Sequence, residues 1–306
     1  MVTVPGSAQL DPLPPASALN YFGRELYPAS PLSWLAPLWY YGCGVLASGY
    51  WRSPDAAILP PFLGLVLVIP LLGTAWRGAL SFSQQRLRLQ GVSPSDPGPA
   101  RFQLPYVLPS SAGQRFTSSL ARIIHHWRNV RRLLELPLIE LGVGCAGALV
   151  VAAFLGTPTL WLTLAGAVAA FTIATASKAP ADNTLATVTL PLLLCWLVAL
   201  SLSGHFYALP VVTGLALAAG PSAFFAVERK GGGLLLQLAP QVLLVLCVLI
   251  TGRLLAGLVV GLFAFAQVLW APALGAADRR RRYFQSLQVP WATAMVVAAL
   301  AVGTAL

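Results

Sequence analysis

Charge is what this chain has least of. Asp, Glu, Lys and Arg make up 9% of its 306 residues, and only nine of those residues are acidic. A soluble domain carries about 25% charged residues, so the shortage excludes an ordinary water-facing surface. Cysteine is sparse too. Its four residues (Cys43, Cys145, Cys195 and Cys247) all fall inside apolar runs. They present neither a disulfide framework nor a metal-binding spacing and read as small buried hydrophobes. Also missing is a basic stretch leading into a short apolar run at the N-terminus. The first twenty residues, MVTVPGSAQLDPLPPASALN, belong to a proline-rich tail over 1–31, and no cleavable signal peptide is expected.

What is present is apolar. Hydrophobic residues make up 57% of the chain and the mean hydropathy is +0.75, which points to an integral membrane protein. The net charge of +10 comes from basic residues placed between apolar runs. Such residues suit loops lying against anionic lipid headgroups, and nucleic acid is not expected as a partner.

A membrane-crossing helix needs about 20 predominantly apolar residues, and in lipid an open chain satisfies its backbone only as helix. Nine stretches qualify: roughly 33–51, 57–76, 134–155, 159–177, 184–203, 207–227, 233–251, 253–271 and 289–306. The fold class expected is therefore an all-α integral membrane protein of about nine transmembrane helices. It forms one domain over 32–306, with a basic loop at 77–133. The division at Thr251, Gly252 and Arg253 is supported by charge. With nine spans, seventeen of the nineteen Lys and Arg residues collect on one side, leaving Arg52 and Arg253 on the other. The positive-inside rule then places the N-terminus and the basic loops in the cytoplasm and the C-terminus opposite.

The segment from Ile69 to Leu134 holds nine of the nineteen basic residues against one acid, Asp96. Within it, Phe116, Leu120, Ile123, Trp127, Val130 and Leu134 recur at helical spacing, with Arg115, Arg122, Arg128 and Arg131 between them. That pattern predicts a basic amphipathic helix over 116–134, suited to the headgroup surface, either as an anchor for the next span or as a binding element. His125 and His126 lie in it. Either imidazole is a candidate axial ligand for a pigment's magnesium, or else a solvated polar-face residue. Neighbours on a helix point about 100° apart, so both cannot serve one site. Glu140, one turn into the third span, has two readings: structural pairing with an arginine such as Arg131 or Arg132, or a place in a cavity. Glu228, Arg229 and Lys230 precede Gly231, Gly232 and Gly233, which form either a phosphate-cradling turn or an ordinary connection.

Four stretches carry a family resemblance. LSWLAPLWYYGCGVLASG (Leu32 to Gly49), PYVLPSSAG (Pro105 to Gly113), AVERKGGGLLLQLAP (Ala226 to Pro240) and RRYFQSLQVPW (Arg281 to Trp291) occur in this order on the nine-span frame. Together they resemble the UbiA-type prenyltransferase superfamily, most closely the chlorophyll and bacteriochlorophyll synthases. The resemblance implies a nine-helix bundle around a cavity open to cytoplasm and lipid. It also implies two Asp-rich motifs whose magnesium holds the diphosphate of an isoprenyl donor, since a hard cation needs several carboxylate oxygens.

The chain departs from that pattern at both motifs. The first falls in TAWRGALSFSQQRLRLQG (Thr74 to Gly91), which has no carboxylate. Ala79 and Leu80 stand at the Asn-Asp pair, with Ser83 and Leu87 at the later Asp positions. In the second, PSAFFAVERK, Ser222 and Ala223 replace Asn-Asp, Glu228 is retained and Lys230 takes the last Asp position. One Glu among arginines is a poor magnesium site, so no metal, and no cofactor of catalysis, is expected. The expectation is a catalytically degenerate relative of the pigment synthases. Its role would be to bind (bacterio)chlorophyll, carotenoid, quinone or another lipid, or to pack against other integral membrane subunits, with a photosynthetic membrane as the setting the resemblance suggests. The alternative is a working prenyltransferase in which Arg77, Arg86, Arg88, Arg229 and Lys230 grip the diphosphate directly. A small-molecule transporter would instead call for broken helices and paired charges at mid-membrane, and neither stands out in the sequence.

Overall fold

A computed structural model describes residues 36–53, 56–90, 112–176, 188–204, 206–230, 234–269 and 277–305. All regular structure among the described residues is helical. In chain order the helices are α1 (Ala36–Ala47), α2 (Leu59–Val66), α3 (Gly73–Gln90), α4 (Ala112–Leu155), α5 (Thr157–Ala176), α6 (Leu190–Ser201), α7 (Ala208–Lys230), α8 (Leu234–Ile250), α9 (Leu254–Leu269) and α10 (Ala277–Gly303). A π-helical segment, Leu67–Leu72, joins α2 to α3 without a break, so each apolar stretch of the sequence contains helix.

Three stretches, Leu59–Arg86, Leu134–Leu155 and Thr157–Thr175, are long and apolar enough to cross a membrane. Shorter apolar helices make up the rest, among them Leu190–Ser201, Leu254–Leu269 and Val289–Gly303. Large apolar side chains on the outside of the bundle, such as Phe154 at 80% and Leu255 at 82% exposure, would be a liability in water and are ordinary against lipid.

Local chemistry accounts for the joints. Proline opens α2 and α6, where its missing N–H has no helical partner to lose. Inside the π-helical segment Pro70 cannot donate to the carbonyl four residues back, and the chain takes a wider turn there. The division near residue 252 is a tight turn. Gly252 has φ 75°, a left-handed conformation that glycine adopts without strain, and it separates the end of α8 from the start of α9.

The long basic segment is more helical than its charge suggested. Residues 77–90, expected to begin a loop, continue α3, and the apolar span runs on to Arg86. The expected amphipathic helix is also present, as the first half of the 44-residue α4, in line with the third span rather than separated from it. At 1.5 Å per residue, α4 is about 66 Å long.

Two packed clusters hold the bundle. The larger joins α1, α6, α7, α8 and α10 through Tyr40, Trp196, Leu217, Leu244 and Met295. The smaller joins α3, α4 and α5 through Ala75, Trp76, Ala79, Leu80, Leu141 and Ala170. α3 and α4 cross very closely. A methyl group added at Gly78 would lie 2.6 Å from the Leu141 nitrogen and the Pro137 oxygen, and one at Gly144 would lie 2.6 Å from the Ala75 nitrogen. Only glycine allows backbones this near, and small residues at crossings are how helices associate in lipid.

Candidate functional site

The α3–α4–α5 corner is where the family resemblance would put a metal-binding lip, and its side chains are packed shut. Ala79, Leu80 and Ser83 each have 0% exposure, with Ala79 and Leu80 in the small core cluster. An alanine, a leucine and a buried serine do not fit magnesium, which needs several oxygen ligands around an accessible position. Leu87 and Arg88 lie in the last turn of α3, and their side chains fall outside the described residues.

Arg77, on the same helix, meets Glu140 of α4. Its Nη2 donates to Oε1 at 2.6 Å and its Nε to Oε2 at 3.2 Å, a two-point grip that fixes the geometry as well as balancing the charge. The carboxylate therefore has the structural pairing expected of it, with Arg77 as partner. Arg131 and Arg132, nearer to Glu140 in sequence, have side chains outside the described set. The pair is 15% and 21% exposed, which removes it from full solvent screening. In this arrangement Arg77 is engaged by Glu140 rather than held open for a diphosphate.

Nine residues further along α3, Arg86 donates through Nη1 to the carbonyl of Thr175 in the last turn of α5. The C-terminal carbonyls of a helix have no partner within it and carry its negative dipole end, so a guanidinium is a favourable cap.

At the second motif position Ser222 is half-buried. The Ser222 hydroxyl hydrogen-bonds that of Thr189, tying α7 to the start of α6, while Ala223 and Phe224 are buried. Glu228, Arg229 and Lys230 form the last turn of α7, with side chains outside the described residues, as are those of His125 and His126 in α4. Gly231–Gly233 also lie outside them. Among the described residues no three His, Cys, Asp or Glu side chains come together as a metal site.

A small cavity lies between the helix of the second span and α6, lined by Val68, Leu72, Trp76, Pro191, Leu194 and Cys195. The space open to the centre of a water-sized sphere is about 10 Å³, which is room for about one such sphere. A prenyl chain or a tetrapyrrole does not fit it.

One polar cluster was not anticipated. Gln237 and Gln241 of α8 and Gln267 of α9 are at most 1% exposed. The Gln237 Nε2 donates to Gln267 Oε1 at 2.9 Å, and the Gln241 Nε2 donates to the same oxygen. Amides buried among leucines are costly unless bonded to one another, so the cluster fixes how α8 sits against α9. The sequence did hold a signal, since Gln237 and Gln241 stand four apart on one face of an otherwise apolar helix.

No family model, curated protein or solved structure matches this chain.

Proposed function

We propose that this chain is a non-catalytic membrane protein of UbiA-like pattern. It serves as a structural or pigment- and isoprenoid-binding subunit of a larger membrane complex, with a photosynthetic membrane as its setting. The observation that carries this reading is the sealing of Ala79, Leu80 and Ser83 at 0% exposure where a donor's diphosphate and its metal would have to enter. Packing of the α3–α4 crossing supports it further, because backbones in contact at Gly78 and Gly144 leave no groove between these helices. Ligands of pigment or isoprenoid type would meet the chain on its apolar outer surface, through side chains such as Phe154, Trp161 and Phe171. The sequence resemblance supplies the family and the setting, and fold-level analogy alone does not fix function.

The test is a prenyl-transfer assay with the purified full-length protein, geranylgeranyl or phytyl diphosphate, and chlorophyllide, a quinone precursor or haem as acceptor. In parallel, lipids and pigments are extracted from protein purified from its native membrane and identified by mass spectrometry. No turnover, together with a stoichiometric pigment, isoprenoid or partner subunit, is the expected result. Magnesium-dependent turnover would overturn the proposal.

A further inference from the structure

The two packed clusters divide three helical spans between them. Leu67, Val68 and Leu72 of the second span belong to the larger cluster, whereas Ala75, Trp76, Ala79 and Leu80, further along the same span, belong to the smaller. α4 divides likewise, with Leu141 in the smaller cluster and Ala148 and Ala152 in the larger. In α5, Leu160 packs on the larger cluster while Ala170 and Ala174 are part of the smaller. The body built on the smaller cluster is fastened within itself. Arg77 grips Glu140 across α3 and α4, the two backbones touch at Gly78, and Arg86 holds the Thr175 carbonyl of α5.

Where the two bodies meet, the helices are weakest. The second span is π-helical over Leu67–Leu72 with Pro70 inside it, and Pro70 is exposed, so its ring is not part of the core. A proline there removes a backbone hydrogen bond, and prolines and π segments are where helices bend. Facing this segment, α4 presents Gly144, which lies against the Leu71 carbonyl and the Ala75 nitrogen, and α5 presents Gly166 to Leu194. Glycine inside a helix weakens it, so both neighbours yield near the same place. The cavity lined by Val68, Leu72, Trp76, Pro191, Leu194 and Cys195 also sits here, between side chains of the two clusters. Close-packed side chains resist sliding, and a void leaves Trp76 and Leu194 room to shift.

We infer that α3 and the adjoining halves of α4 and α5 pivot as one body about the Leu67–Leu72 segment. In such a hinge a short stretch absorbs the backbone change while the packed units on either side stay intact. The swing sets the width of the gap between the second span and α6, where the cavity lies. The inference rests on packing and stands whether or not the chain binds a pigment or an isoprenoid.

Spin labels attached through a genetically encoded ketone amino acid leave the four native cysteines in place and test the pivot in the full-length protein in lipid nanodiscs. Double electron–electron resonance is measured between exposed sites: Phe171 with Leu246 across the two bodies, Ile139 with Phe171 inside the pivoting one, and Leu246 with Leu300 inside the other. The cross-body distance distribution is expected to be about twice as broad as either internal one. Pro70→Leu, which restores a backbone donor at an exposed position, should narrow it toward them. A cross-body distribution as narrow as the internal ones overturns the proposal, as does an Ile139–Phe171 distribution as broad as the cross-body one. Undiminished breadth in Pro70→Leu overturns the placing of the hinge. If that variant does not fold, the three wild-type distributions decide the matter.

Discussion

The hydroxyl of Tyr40 donates to the carbonyl of Leu217 at 2.8 Å, and that carbonyl is the one Pro221 cannot serve within α7. A proline inside a helix removes the N–H that its residue four positions back would accept, and a buried carbonyl without a donor is costly. Tyr40 therefore repairs a defect that α7 creates. Trp291 of α10 donates in turn to the Tyr40 oxygen at 3.4 Å and packs edge-on against Phe224, with ring centroids 5.5 Å apart. Tyr40→Phe is expected to destabilise the protein by about 1 kcal/mol. In a Pro221→Ala background, where residue 221 regains its N–H, the same change should cost less. Thermal denaturation of the four proteins of this cycle in one detergent reads the coupling, and equal costs in both backgrounds would remove the repair argument.

The α3–α4 crossing depends on glycine. Replacing Gly144 by leucine drives a side chain into the Ala75 nitrogen and the Leu71 carbonyl, which a Cβ would approach to 2.6 and 2.8 Å. Backbone cannot yield as a side-chain tip can, so the helices must separate, at a cost of about 1–3 kcal/mol or more. By contrast, a methyl group added at Gly142, two residues away, would meet nothing within 4 Å, and Gly142→Leu should leave stability within about 0.5 kcal/mol. Unfolding midpoints of the two variants separate a packing requirement from a general intolerance of leucine in α4.

Arg77 and Glu140 are 63 positions apart in sequence and meet in two hydrogen bonds. Glu140→Gln keeps the shape but leaves the guanidinium short of a counter-charge in a partly buried place, so a loss of about 2 kcal/mol is expected. The double variant Arg77→Met, Glu140→Leu should be less destabilised than Glu140→Gln alone, because removing both charges also removes the cost of burying them. Denaturation of the single and double variants checks the order. A double variant less stable than Glu140→Gln alone would show that the pair contributes more than its burial costs.

How much of this was legible follows from the range of each signal. Helix positions were readable because an apolar run near 20 residues long has one structural solution in lipid, and Gly252 marked its own turn. Arg77–Glu140 was not readable: proximity in sequence favoured Arg131 and Arg132, and nothing local shows that α3 lies alongside α4. The amphipathic helix over 116–134 and the third span over 134–155 were read as abutting at Leu134, and they form one continuous helix, α4, with Pro137 inside it. The role of Gln267 was hidden for a different reason, since it acquires its meaning only when α9 folds back on α8.

The glutamine cluster gives a prediction that runs against simple counting. Gln267→Leu removes the shared acceptor and leaves the Gln237 and Gln241 donors to find other partners inside the bundle, so it should cost about 1–3 kcal/mol. Replacing all three glutamines by leucine removes the polar groups along with their need for partners and should cost less than the single change. Thermal or denaturant unfolding of the two variants orders them. If the triple variant is the less stable, the amides are contributing net interhelical attraction and not merely satisfying one another.

Installing Asp at Ala79, Leu80 and Ser83 tests the degeneracy of the first motif directly. All three positions have 0% exposure, so the new carboxylates would be buried among α3, α4 and α5, and the nearest cations on α3, Arg77 and Arg86, are already held by Glu140 and the Thr175 carbonyl. Each unpaired buried charge costs several kcal/mol or is relieved by protonation, and a protonated carboxyl binds magnesium poorly. The expected outcome is a large fall in the yield of folded protein and no prenyl transfer from geranylgeranyl diphosphate to chlorophyllide with magnesium present. Even a folded triple variant lacks the second site, where Ser222 and Ala223 stand in place of Asn-Asp and Lys230 in place of the last Asp. Turnover in that variant would mean that Glu228 and its neighbours complete a metal site after all, and that the closed corner opens when its residues can hold a cation.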